Sequence, residues 1–191
     1  MSLVIAEIRD GVTYIGADTQ TSSKTVKEHH FTEPSMKVIR MPRGILLCAV
    51  GAVNSSKRLF ARKDWFDELG EAPLSKQFLV TKIVSRFYCD LKEQNLLEQK
   101  SGAQCGSRFI VAQENRLFSI NRDFSVSVIP RFFAAGVGDY SAQIVDALDA
   151  NAPVRDKFLC ALRLADRYDN SIGAPYLFVD TKRLEFEFVE E

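Results

Sequence analysis

Histidine is scarce in this 191-residue chain, with only His29 and His30, adjacent in a polar stretch. That scarcity argues against a Ser-His-Asp triad, because the base would have to come from this one dipeptide. Cysteine is sparse too: Cys48, Cys89, Cys105 and Cys160 show no Cys-x-x-Cys spacing. A tetrahedral zinc site would need one of the histidines to join a pair of them, and nothing in the spacing resembles one. Three of the four lie in apolar sequence, where a free thiol behaves as a small hydrophobe, so structural thiols and no metal are expected. Net charge is absent, 25 basic residues balancing 25 acidic ones, and no block of one sign points to nucleic acid or an anionic membrane. No apolar run approaches the roughly 18 residues of a membrane span. Glu7, Arg9 and Asp10 stand where a signal peptide would be hydrophobic, so the expectation is a cytoplasmic protein. Short-period repeats and low-complexity tracts are also missing.

What is present is enough chain for one domain, residues 1–191, burying about 70% of its unfolded surface without disulfides. Leu3 to Asp18 reads as two strands around an Asp10-Gly11 turn, a strong hairpin signal between β-branched residues. Thr19 to Ser35 is polar and lacks period, which predicts a loop, and a second hairpin follows over residues 37–50 around Pro42-Arg43-Gly44. Asn54 is placed to cap a helix through Leu69. Ser75 is placed to cap another through about Glu98, with Leu79, Ile83, Phe87 and Leu91 on one stripe. Four strands then read as a meander: 108–112, 117–120, 125–129 and 132–135. Helical period returns over 139–150 and from Pro153 through Ala165, and strands at 176–179 and 184–188 close the chain. Helices grouped in pairs against antiparallel strands mean α+β, with two sheets able to stack between two helical layers.

The first eighteen residues carry the chemistry. If Met1 is removed, Ser2 presents a hydroxyl nucleophile and, on the same Cα, an amine titrating at roughly 7.7–8.0, so one residue supplies both nucleophile and base. Serine is a side chain that methionine-removing enzymes tolerate, and Leu3-Val4-Ile5-Ala6 leads directly into a strand.

In three stretches the sequence resembles the proteasome β-subunit family and the HslV-type peptidase of the N-terminal nucleophile hydrolase superfamily. The first runs from Ser2 to Gly11 and on to Ile15-Gly16-Ala17-Asp18. The second joins Lys37-Val38-Ile39-Arg40 to Leu47-Cys48-Ala49-Val50-Gly51 ahead of a helix. The third is Ala134-Ala135-Gly136-Val137-Gly138, similar to the family's Gly-x-Gly turn. Each motif is short, and order and spacing make the case. The resemblance implies a four-layer αββα sandwich with Ser2 at the mouth of the cleft between the sheets. It aligns Ser2 with the family's nucleophilic threonine, Lys37 with its catalytic lysine, Asp18 with that lysine's partner and Gly51 with the oxyanion-hole glycine. Asp169 and Ser171 are the nearest candidates for the polar pair beside the N-terminal amine, in a turn one residue shorter than the family's. Val137 departs from the pattern, standing where the family has a serine.

Taken singly, each residue has a plainer reading: Asp18 as a cap or turn, Lys37 as a solvated strand lysine, Gly51 as a strand end, Asp169 and Ser171 as a polar turn. The joint pattern favours a peptidase acting through an acyl-enzyme on Ser2, with no cofactor. It further implies a peptide or unfolded-protein substrate, a homo-oligomeric ring or stacked rings, and an ATP-dependent unfoldase as partner. The competing reading is an inactive ring-forming subunit of the same fold, which Val137 and the shortened turn favour. A third is an amidase for a small molecule. Substrate choice should fall to walls near Thr21, Val53 and the 22–35 segment, and the sequence sets no sharper preference than a small or apolar side chain.

Overall fold

The computed structural model describes residues 2–23, 26–33, 35–98 and 102–190. β1 (Leu3–Arg9) and β2 (Val12–Asp18) form the expected hairpin, with Asp10 at φ 52° and Gly11 at φ 78°, the double positive-φ turn that matches strand twist. The polar segment after it is a correction. It is not a loop but a two-stranded ribbon, β3 (Gln20–Ser23) against β4 (Val26–His29), paired from Gln20↔His29 to Ser23↔Val26. It pairs with neither large sheet, so no apolar face was there to give it a period.

β5 (Val38–Met41) and β6 (Ile45–Gly51) form the second hairpin. The helix expected over 54–69 is two pieces, α1 (Val53–Phe60) and α2 (Lys63–Asp67), and Ala52 rather than Asn54 stands at the N-cap. The next helical stretch begins where expected, with Ser75 Oγ accepting the Phe78 N–H. It comprises α3 (Lys76–Phe78), a π-helical stretch (Leu79–Val84) and α4 (Ser85–Glu93), ending short of Glu98. The Thr81 and Ser85 hydroxyls donate to the carbonyls four residues back, at 2.9 and 2.7 Å, competing with the helical ladder around the π stretch.

β7 (Ser107–Gln113), β8 (Arg116–Ile120) and β9 (Val126–Ile129) are the meander. The fourth strand, β10 (Phe132–Gly136), leaves it and pairs with β1 in the other sheet. α5 (Asp139–Leu148) and α6 (Val154–Tyr168) follow, with Pro153 at the N-cap, then β11 (Tyr176–Asp180) and β12 (Glu187–Val189). The last strand starts later than the 184–188 alternation suggested, because Leu184 takes a φ of 60°.

Two five-stranded antiparallel sheets result, ordered β10-β1-β2-β11-β12 and β5-β6-β7-β8-β9. Alternation along central strands then dictates the layers, since successive side chains leave opposite faces and both faces are covered. In β6, Leu46, Cys48 and Val50 face the other sheet. Ile45, Leu47 and Ala49 face a core built with Leu59, Phe66, Ile83 and Phe87 of the first helical layer. In β1, Val4 and Ala6 join the inter-sheet core, while Leu3 and Ile5 pack on Phe158, Leu162 and Ile172 under α5 and α6. Three apolar cores separate four layers, the α+β αββα sandwich.

A buried ion cluster ties the second helical layer to β1. Lys157 Nζ lies 2.5 Å from Glu7 Oε2 and 2.7 Å from Asp146 Oδ1, and both Lys157 and Glu7 are 1% exposed. Arg131 pairs with Asp146, and Arg9 with Glu7 at 2.7 Å. No described helix is long and apolar enough to cross a membrane. Among the described residues, no group of three or more His, Cys, Asp or Glu side chains is placed to hold a metal ion. Cys48 and Cys105 are buried and Cys89 and Cys160 exposed, all four as free thiols.

Candidate active site

Ser2 sits just ahead of β1 and is 8% exposed. The peptide unit that follows it is held at both ends. The Ser2 carbonyl accepts the Val137 N–H at 3.0 Å, and the Leu3 N–H donates to Asp18 Oδ1 at 2.8 Å. Gly136 makes the first of these possible. At φ 121° it has a backbone that L residues rarely adopt, and a Cβ there would lie 1.8 Å from the Ser2 oxygen. A Cβ on Gly138 would strike Leu3, Ala165 and Ile172 at 2.7–2.9 Å. The Gly-Val-Gly turn thus presses its backbone onto residues 2 and 3. Val137 contributes its N–H to this contact, and its side chain is exposed.

Asp18 closes β2 and is buried. Its second oxygen, Oδ2, receives Lys37 Nζ at 2.5 Å, and the Lys37 side chain is 9% exposed. Burial raises the Asp18 carboxyl above its ordinary range, opposed by the Lys37 charge and the Leu3 N–H. Burial likewise lowers the Lys37 ammonium, opposed by Asp18. Desolvation therefore weakens the hold of both groups on their charges, and each is kept in check by the other. Lys37 itself is fixed from behind, its carbonyl accepting the Ala49 N–H at 2.9 Å.

Gly51 ends β6 at φ 122°, two residues before α1. A Cβ there would lie 2.4 Å from the Gly106 oxygen and 2.9 Å from Ser107 Cα, so β7 leaves room only for glycine. The turn is anchored by Ala52 N–H donating to the Gly106 carbonyl at 3.0 Å. Beneath it the Ser107 hydroxyl lies 2.8 Å from the Ala52 carbonyl, and the Ser55 and Ser56 hydroxyls lie 2.7 and 3.0 Å from Ser107 Oγ.

Ser2, Lys37 and Gly51 line one cleft of about 110 Å³, with Thr21 and Val53 on its walls as the sequence suggested. Asp169 and Ser171 are not on that lining. They form a closed pair, Ser171 donating from its N–H at 2.8 Å and its hydroxyl at 2.5 Å to Asp169 Oδ1, which holds that carboxyl below its usual range. Their turn abuts the start of β1 through Ile172 and is pinned to β3 by Gln20 Nε2 donating to the Asn170 carbonyl at 2.8 Å. Sequence reasoning missed three contributors. His30, read with His29 as loop, lines the cleft, whereas His29 Nδ1 lies 3.0 Å from the Thr19 hydroxyl. Lys57 joins it from α1, and the helical spacing Val53, Ser56, Lys57, Phe60 could have revealed that shared face. The Ser107 cluster depends on a strand pairing no local pattern announces.

No protein-family model matches the sequence, and no curated protein matches it significantly. Solved structures do. Thiobacillus denitrificans BPH is similar with a TM-score of 0.74 at 22% identity, over 96% of this chain and 98% of that one, and another structure of it contains epoxomicin. Eukaryotic HslV from Trypanosoma brucei is similar at a TM-score of 0.62 and 14% identity, over 99% of both chains. The Anbu (Gly-1) mutant from Hyphomicrobium sp. strain MC1 is similar at 0.73 and 14%, over 100% of this chain and 87% of that one. With three cores separating four layers and these neighbours covering 96–100% of its length, the chain has a proteasome- and HslV-like fold.

Proposed function

We propose that this protein is a peptidase whose nucleophile is Ser2, exposed as the N-terminus after removal of Met1. The observation that carries the reading is the meeting of Ser2, Gly51 and the Asp18-held Lys37 at one cleft. In the proposed cycle the α-amine of Ser2 takes the hydroxyl proton as Oγ attacks an amide carbonyl, the cation of Lys37 favouring that loss. The Gly51 N–H stabilises the oxyanion, a donor worth about 100- to 1000-fold in other hydrolases. The amine returns the proton to the leaving nitrogen, and water then cleaves the ester on Oγ. Asp169 and Ser171 act from a distance, the depressed Asp169 carboxylate supporting positive charge near the chain start.

Assembly into a homo-oligomeric compartment belongs to the same reading. Its support is an apolar stripe on α5, where Tyr140, Ile144 and Leu148 recur every four residues at 75%, 54% and 81% exposed. An inactive ring subunit is the second reading, favoured by Val137, which supplies no hydroxyl beside Ser2. Intact mass of the purified protein and peptide hydrolysis by wild type and Ser2→Ala decide between them. Loss of Met1 with turnover abolished by Ser2→Ala supports the peptidase, and epoxomicin is a ready probe. Turnover that survives Ser2→Ala overturns the mechanism.

A further inference from the structure

Resting on that reading, we infer that the cleft selects an acidic side chain, Asp or Glu, on the acyl side of the scissile bond. At about 110 Å³ the cleft is well below the roughly 300–1000 Å³ of pockets that take larger ligands, so it suits one side chain. Its deep wall is apolar, from Met36, Ala49 and Phe60, all buried. Two cations line it, Lys37 buried and Lys57 exposed. Lys37 is neutralised by Asp18. Lys57 is exposed and, among the described residues, has no carboxylate within ion-pair distance and no hydrogen-bond partner for its ammonium. Among the described residues, no Asp or Glu lines the cleft.

Of the acids nearest in sequence, Glu33 is turned elsewhere and Glu28 reaches only His30 at the cleft edge. Glu33 receives the Arg40 backbone N–H at 2.6 Å and lies 3.8 Å from Lys63 Nζ. Glu28 is largely exposed and stands 3.9 Å from His30 Nε2. The start of α1, which carries Val53 and Ser56 into the cleft, adds the partial positive charge of its first turn. A carboxylate entering here meets the Lys57 ammonium above an apolar floor, whereas a Lys or Arg side chain is repelled by it.

The test uses four amide-capped peptides differing at that one residue, Glu, Gln, Leu or Arg, each with a fluorogenic leaving group. Expected is a kcat/KM for Glu about fivefold or more above its isostere Gln, the size of one partly solvated charge pair. Lys57→Gln should bring the Glu-to-Gln ratio to about one, and Lys57→Glu should place Arg above Glu. Equal turnover of Glu and Gln, or a ratio untouched by Lys57→Gln, overturns the inference while leaving the peptidase reading intact. If a protein lacking Met1 cleaves none of the four, the peptidase reading fails instead. The cleft preference is then decided by fluorescence anisotropy of dye-labelled versions of the peptides on Ser2→Ala: tighter Glu than Gln supports it, equal binding overturns it.

Discussion

Replacing Asp18 by Asn keeps an oxygen for the Leu3 N–H but leaves Lys37, with a side chain 9% exposed, facing a neutral amide. Removing one member of a buried ion pair typically costs about 3–5 kcal/mol. For a domain held by about 5–15 kcal/mol that is a large fraction. With a urea slope of about 2 kcal/mol/M, the unfolding midpoint should fall by roughly 2 M with the slope unchanged. The double variant Asp18→Asn/Lys37→Met removes the stranded charge and should recover most of that loss, because an apolar replacement of a buried pair is close to neutral. Peptide turnover should be lost in both, which separates the structural cost from the chemical role. The sign with pH follows from Lys37, whose ammonium burial already lowers from the ordinary 10.5. Without Asp18 it falls further, so the unfolded chain binds more protons than the folded one and stability of the single variant rises with pH. Its deficit against wild type should therefore narrow on the alkaline side. A midpoint shift under about 0.5 M, at the stated slope, or a double variant no more stable than the single, would refute the assignment of this pair as buried and mutually dependent.

Gly136→Ala should lower stability by about 2–4 kcal/mol, combining an unfavourable φ with loss of the Val137 to Ser2 hydrogen bond. It should also cut kcat/KM by about 100-fold through displacement of Ser2, and a variant that melts and turns over like wild type would contradict the clamp. Lys157→Met takes the partner from Oε2 of the buried Glu7, leaving Arg9 and Arg131 on Oε1, and should cost about 3 kcal/mol in urea unfolding. Turnover per folded molecule should hold, since the cluster lies at the far end of β1 from Ser2. Ser171→Ala removes the hydroxyl that holds Asp169 down, so the Asp169 titration followed by carbon NMR should move up toward its ordinary 3.8. The wild-type contribution of Asp169 to stability is present above 3.8 and lost as pH falls through its depressed midpoint.

Elements with a face to bury were legible in the sequence. The β1–β2 hairpin announced itself through Asp10-Gly11 between alternating apolar residues, and the Ser75 cap through the stripe behind it. The β3–β4 ribbon was not, because Val26 is the one apolar residue in its two strands, which leaves no period to read, and it pairs with neither large sheet. β10 was found as a strand but given the wrong neighbours, since Phe132 to Gly136 looks the same whether it extends the meander or crosses to β1. At the site, Ser2 was legible by itself as a hydroxyl beside a would-be terminal amine, whereas Asp18, Lys37 and Gly51 were visible only as a spaced set tied to a resemblance; singly they read as a cap or turn, a strand lysine and a strand end. Lys57 escaped because the spacing it shares with Val53, Ser56 and Phe60 marks a common helix face without saying that a cleft borders it.

The clamp around the Ser2–Leu3 peptide touches only main-chain atoms of that unit: one carbonyl and one N–H, gripped from the turn after β10 and from β2. The backbone of residue 2 is therefore placed without help from its side chain. Position 2 behaves as a socket that grips the chain and leaves the side chain to its own chemistry, so under the proposed mechanism a threonine or cysteine there would inherit the same backbone grip.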